Sequence, residues 1–343
     1  MHYYAGDCKL YVLGYWGKCI MNLLGKRVLV VGGGKSGIAA GGKLLRMGAE
    51  VFLTDRQPKE KLQGLKKLGL DDEHFVLEQE PDLDFIRPDL LVLSPGVSPL
   101  LSFIQEGLRR DIPVWSEVEL ALRDSDAQLV GITGSNGKTT TTTLLGELAK
   151  ATGKKTIVAG NIGVALSGLV DDLDEDGIVV AELSSFQLEL IDKMRVNIAL
   201  VLNLTPDHLD RHGTIENYFQ AKARILENQT EEDLAILNWD DSVVRDFARR
   251  TKARITYFSF REQLENGICL EGEDIVLKNN SRATRIIGSK ELLLRGGHNI
   301  ENVMAAAAAA LGLGLGIDGI AKVLRRFHPV KHRQEIVGKF NNI

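Results

Sequence analysis

The chain has 343 residues, 44% of them hydrophobic and 26% charged, with a formal net charge of −4. This composition describes a soluble globular protein with room for two domains, without the basic excess that holds nucleic acid. No segment approaches the ~18 consecutive apolar residues of a membrane helix. The three cysteines, Cys8, Cys19 and Cys269, form no C-x-x-C pair, so a reduced, cytoplasmic protein is expected.

Residues 1–20 hold a short apolar part interrupted by glycine, with no A-x-A site after it. They are expected to be an unstructured or mis-started extension rather than a signal peptide. KRVLVV (26–31) is a continuous apolar run between turn signals, as in a buried parallel strand. GGGKSG follows, then a helix-like stretch to Gly48 and a strand, EVFLTD, closing at Asp55. DLLVLS (89–94) is the next strand and runs into PGVSP; a helix around 100–110, the strand IPVWS and a polar helix come after it. The charged segment RDSDAQ (123–128) separates this series from a second one, dividing the chain into residues 21–124 and 125–330.

In the second series QLVGIT (128–133), KKTIVAG (154–160), GIVVAEL (177–183), VNIALVLNL (196–204) and LAILNW read as strands. Helices are expected from about Thr139 to Thr152, over 214–228 and over 240–251. Residues 265–295 read as short hairpin strands, and HNIENVMAAAAAALG (298–312) as a helix whose alanines allow close packing. The predicted class is α/β: a Rossmann-like N-terminal domain, then a P-loop-type ATPase domain with a mostly parallel sheet and a small antiparallel part.

Two loops carry the chemistry. Gly32-x-Gly34-x-x-Gly37 lies after a strand and before a helix, with Asp55 at the end of the next strand. That context suits a ribose and a diphosphate without naming the ligand. The second loop, Gly134-Ser135-Asn136-Gly137-Lys138-Thr139-Thr140, also joins a buried strand to a helix. The usual phosphate-loop pattern wants a glycine where Ile132 stands. The physics asks only for inward N–H groups, a helix N-terminus, an ammonium (Lys138) and a hydroxyl for Mg²⁺ (Thr139). An ATP site is expected there. Asn161, Glu182 and His208 lie at or just beyond strand ends, on the edge of a parallel sheet where ligands bind. Glu182 suits Mg²⁺. Lys222, on the helix YFQAKARILEN, reads by itself as a solvated lysine.

GITGSNGKTTTT, AGNIG, ELSSFQLE, LNLTPDHLDRHG, YFQAKARIL, GGHNIENVMAA and HRQE stand in the order found in the Mur ligases of peptidoglycan synthesis. The sequence resembles that family over about residues 22–343. The family's shorter loop, T-G-x-N-G-K-[ST], accounts for Ile132. VLVVGGGKSG, SPGVSP and ELSSFQLE look like the branch that joins D-glutamate to UDP-N-acetylmuramoyl-L-alanine. The resemblance implies that Ser36, Asp55, Arg56 and Gly96 line the UDP site, and that Asn161, Gln187 and His208 face the muramoyl-alanine end or the phosphate. It implies two Mg²⁺ ions, one on Thr139 and Glu182 and one assisted by His208, with Lys222 carbamylated as a ligand. Asn299 and Asn302 would contact adenine, and Arg333 would help hold the nucleotide. The enzyme is expected to be a monomer in the cytoplasm. The family continues beyond HRQE into a linker, to which 331–343 would belong, and a third domain that binds the incoming amino acid. Without that domain the chain alone is expected to be inactive as a ligase, with either no turnover or slow phosphate release indifferent to D-glutamate. A sister ligase, or a non-catalytic nucleotide-binding module, is the alternative. A nicotinamide-dependent oxidoreductase fits the first loop and leaves GSNGKTT unexplained.

Overall fold

Two sheets follow one another along the chain. The computed structural model describes residues 22–280 and 282–328; the expected extension at 1–20, Arg333 and the segment 331–343 lie outside the described residues. The first unit contains β1 (Arg27–Val31), α1 (Lys35–Arg46), β2 (Glu50–Asp55), β3 (Phe75–Leu77), α2 (Leu83–Ile86), β4 (Leu90–Leu93), α3 (Ser102–Arg109), β5 (Val114–Ser116) and α4 (Glu117–Leu122). Its five strands are parallel in the order β3-β2-β1-β4-β5. β1 is apolar without alternation because both its faces are covered. Val28 and Val30 pack with Ala40 and Leu44 of α1, whereas Leu29 and Val31 pack with Ile86 and Ile104. Strand order reverses between β1 and β4, which opens a crevice at their carboxyl ends.

The second unit begins with β6 (Gln128–Thr133), α5 (Lys138–Lys150), β7 (Thr156–Gly160), β8 (Ile178–Glu182), α6 (Ser185–Leu188) and β9 (Ile198–Val201). It continues with α7 (Leu209–His212), α8 (Ile215–Ala223), β10 (Leu234–Asn238), α9 (Ser242–Asp246) and β11 (Arg254–Ser259). β12 (Gly267–Glu271), β13 (Asp274–Asn279), β14 (Arg282–Gly288), α10 (Gly297–Gly312) and α11 (Ile317–Leu324) complete it. The nine strands run β14-β13-β12-β11-β10-β9-β6-β8-β7. All pairs from β7 to β12 are parallel, and only β12-β13-β14 are antiparallel. One face is covered by α5 and α10, whose alanines 305–310 are all buried in the core with Leu144, Leu145 and Leu148. Small side chains let these two helices lie close, which draws the start of α10 up to the start of α5.

The elements differ from the sequence expectation in several places. β3 has only three residues, too few to show a pattern. β11 alternates weakly, as RITYFS. α11 does carry a helical apolar stripe, burying Ile320, Ala321 and Leu324. The helices expected over 214–228 and 240–251 stop at Ala223 and Asp246 and continue as 3-10 turns. No helix among the described residues is long and apolar enough to cross a membrane.

Candidate functional site

The loop between β6 and α5 is held by the chain that follows β9. Ser135 donates its N–H to the Asn203 carbonyl at 2.9 Å, and the Asn136 N–H donates to Asn203 Oδ1 at 2.8 Å. The Ser135 hydroxyl donates to the Thr205 carbonyl at 2.9 Å and lies 3.0 Å from the Tyr218 hydroxyl. Gly137 caps α5 with φ of +85°, and a Cβ there would come within 2.3 Å of Asn302 Oδ1. Glycine is required at that position by both conformation and contact. Lys138 Nζ donates to the carbonyls of Gly134 (2.7 Å) and Ser135 (2.9 Å), across the mouth of the loop. Thr139 and Thr140 form the first turn of α5, where the positive end of the helix dipole faces the loop.

Glu182 closes β8 and is buried, and its carboxylate accepts from two sides. Thr139 Oγ1 donates to Oε2 at 2.8 Å, and Asn161 Nδ2 donates to Oε1 at 3.0 Å. Lys222 is only 2% exposed, contrary to the solvated lysine its helix suggested. Its ammonium lies beneath the same loop, donating to the Gly134 carbonyl at 2.9 Å, and sits 4.9 Å from the centre of the Tyr218 ring. Burial, reinforced by the nearby charge of Lys138, pulls its pKa down to about 7. Thr139 and Glu182 offer two adjacent oxygens, the hard donors Mg²⁺ takes while keeping waters and phosphates for its remaining positions. The donor set therefore fits a nucleotide-bound Mg²⁺. Among the described residues no cluster of three or more His, Cys, Asp or Glu could hold a metal without further ligands.

His208 is exposed and lies in the left-handed region (φ 50°) just before α7. Its ring is 4.9 Å from that of Phe186, and its Nε2 lies 3.5 Å from Asp207. Gln187 is buried at the start of α6, where its side-chain oxygen accepts from the Ser184 N–H and hydroxyl in a capping box. Asn299 and Asn302 are buried at the start of α10, Asn302 Nδ2 donating to Asn299 Oδ1 at 3.3 Å. Sequence reasoning missed His212, Asn203 and Phe186. His212 Nε2 lies 2.9 Å from Ser185 Oγ, its ring stacks on Phe186, and burial lowers its pKa. Asn203 had a usable signal: it stands two residues after β9, at the carboxyl-end edge of the sheet.

In the first unit a cavity of about 550 Å³ opens at the carboxyl ends of the strands, lined by Gly32, Asp55, Arg56, Gly96, Val97 and Ser98 among others. Asp55 accepts from the Gly33 N–H at 2.6 Å and from the Gln57 N–H at 2.8 Å, so its carboxylate tethers the glycine loop. Ser36 is half-buried in the first turn of α1 and is not among the lining residues. A larger cleft of about 680 Å³ lies between Pro99 and Leu100 of the first unit and the outer side of α8. It contains no residue of the phosphate loop.

Residues 132–310 match the family described as Mur ligase middle domain. The chain is 56% identical over 323 residues to a UDP-N-acetylmuramoylalanine--D-glutamate ligase of Desulfitobacterium hafniense, covering 94% of this chain and 71% of the relative. It is 42% identical to the ligase of the same name from Lachnoclostridium phytofermentans, covering 92% and 70%. Among solved structures it resembles a UDP-N-acetylmuramate:L-alanyl-gamma-D-glutamyl-meso-diaminopimelate ligase from Neisseria meningitides, with a TM-score of 0.60 and 21% identity over 90% of this chain and 99% of that one. A UDP-N-acetylmuramate-alanine ligase from Thermotoga maritima gives a TM-score of 0.52 and 22% identity over 92% and 72%. At such identities the two structures speak for the fold alone.

Proposed function

The chain belongs to the Mur ligase family, and we propose that it serves as the ligase joining D-glutamate to UDP-N-acetylmuramoyl-L-alanine at the expense of ATP, in peptidoglycan precursor synthesis. The observation that carries this reading is the meeting of Lys138, Thr139, Glu182, Asn161 and Lys222 around one loop at one sheet edge. The names of the most similar relatives support the choice of D-glutamate as the amine.

The alanyl carboxylate attacks the γ-phosphorus of ATP, the bond to the β-γ bridging oxygen breaks, and ADP leaves. The amine of D-glutamate then attacks the acyl phosphate, losing a proton as phosphate departs. The chain supplies no nucleophile. Its loop N–H groups and the α5 N-terminus (residues Gly134 to Thr140) cradle the phosphates, while the Lys138 ammonium turns from its own loop carbonyls to the γ-phosphate as charge develops there. Thr139 and Glu182 would hold the Mg²⁺, which when bound neutralises the β- and γ-oxygens. The lowered pKa of Lys222 leaves its amine neutral often enough to add to CO₂ with loss of a proton. The resulting carbamate would offer anionic oxygens to a second Mg²⁺ together with His208. Asn299 and Asn302 face the adenine, with Asn302 already against Gly137. Asp55, Arg56 and Gly96 hold the uridine end; Ser36, in the first turn of α1, does not line that cavity. Asn161, Gln187 and His208 receive the muramoyl-alanine end. The protein works as a cytoplasmic monomer.

Phosphate release from ATP, followed with and without UDP-N-acetylmuramoyl-L-alanine, tests the assignment. Release should depend on the precursor. Lys138→Ala should weaken MgATP binding and abolish release, because the ammonium that offsets γ-phosphate charge is gone. Equal MgATP affinity in variant and parent, or displacement of the precursor by NAD in a competition titration, would sink the reading.

A further inference from the structure

α4 belongs to the first unit by chain order and to both units by packing. Leu120 lies in the first core with Trp115, whereas Val118, Ala121 and Leu122 lie in the second. Its two carboxylates are turned to the backbone of the second unit. Glu119, which is fully buried, accepts from three successive N–H groups, those of Asp192 (2.9 Å), Lys193 (2.9 Å) and Met194 (3.0 Å). Arg123 lies 3.4 Å from the same carboxylate. Glu117 accepts from the Ser167 N–H at 2.7 Å. Ser116, the last residue of β5, donates its N–H to the Leu190 carbonyl at 3.0 Å. Beside α4, α1 reaches the same region, with Lys43 and Arg46 paired to Asp171 and Arg46 donating to the Ser167 carbonyl.

The gripped segments, 165–171 and 190–194, are the direct continuations of the stretches that carry Asn161 and Gln187. We infer that α4, anchored by Glu119, is a positioning element that sets the reach from the uridine cavity to the phosphoryl-transfer site. This inference rests on the functional reading above. The precursor is then a two-ended ligand. Its uridine end sits on the first unit and its alanyl carboxylate must arrive at Asn161 and Lys138 on the second. The second contact gains from the first only while the spacing between them is right. A carboxylate held by directional N–H bonds fixes rotation as well as distance, which apolar packing does only loosely. Glu119 touches no substrate and acts through the segments it holds.

The test compares UDP with UDP-N-acetylmuramoyl-L-alanine by titration calorimetry on the full chain. Glu119→Ala should leave UDP affinity unchanged and weaken the whole precursor about tenfold. Precursor-dependent phosphate release should fall about a hundredfold, the scale of an ångström-sized misplacement. Ile275→Ala, a core control in β13, should lower the melting temperature and leave the ratio of the two affinities alone. Should Glu119→Ala not fold, Glu119→Gln and Asp171→Asn should still shift the ratio in the same direction, about threefold for the half-exposed Asp171 pairs. An unchanged ratio in every variant, or equal weakening of both ligands, overturns the inference while leaving the functional reading intact. A parent chain that binds neither ligand overturns both.

Discussion

Lys222 places its amine under the loop between β6 and α5. Among the described residues it has no carboxylate partner within hydrogen-bond reach, only the Gly134 carbonyl, a distant Thr133 hydroxyl and the Tyr218 ring. Burial therefore lowers its pKa from 10.5 to about 7. The sign of the resulting stability effect is definite. Between about 7 and 10.5 the unfolded chain binds a proton that the folded chain does not, so this group's contribution to stability rises with pH through that window. It is complete above the unfolded value and is lost as the pH falls to about 7. Lys222→Met should remove that slope and stabilise the protein at pH 6 by up to about 5 kcal/mol, while abolishing phosphoryl transfer. Chemical denaturation at several pH values in CO₂-free buffer checks it, and identical slopes in parent and variant would refute it. Nothing local in YFQAKARILEN distinguishes Lys222 from a surface lysine, because burial of one helix face is decided by what packs on it. Lys138, Thr139 and Glu182 were legible for the opposite reason: loop chemistry and strand-end position are local properties.

At the scale of elements, α10 ties helix packing to the loop that opens α5. Its alanines 305–310 are all buried, and Asn302, one turn before Ala306, abuts Gly137 at the start of α5. Ala306→Leu should force the two helices apart. Overpacking of this kind costs about 1–3 kcal/mol, and Asn302 should withdraw from the nucleotide loop with the helix. A fall in both melting temperature and MgATP affinity is expected. A fall in melting temperature alone would separate packing from the site. The long buried strands were readable because both faces are covered, which makes their sequences continuous apolar runs. β3 and β11 were not, since three residues carry no period and RITYFS alternates only weakly. The ends of α8 and α9 were misjudged because 3-10 turns extend both with helix-like composition.

At the scale of the whole molecule, the shared packing of α4 makes a prediction about cooperativity. Because Val118 and Leu122 sit in one core and Leu120 in the other, the two units should unfold in one calorimetric transition. Glu119→Ala should split it into two, and two resolved transitions in the parent would contradict the shared packing. By itself the sequence determined the order of motifs, the class of each unit, the two glycine loops between strand and helix and the sheet edge on which they lie. These follow from patterns a few residues long and from the rule that parallel strands present their carboxyl ends together. Only the tertiary structure decided that Lys222 is buried, that Asn302 meets Gly137, that Asp55 tethers its own glycine loop, and that α4 grips the second unit by its backbone. Each of these joins residues far apart in the chain, and their distance is set by how helices and sheets pack.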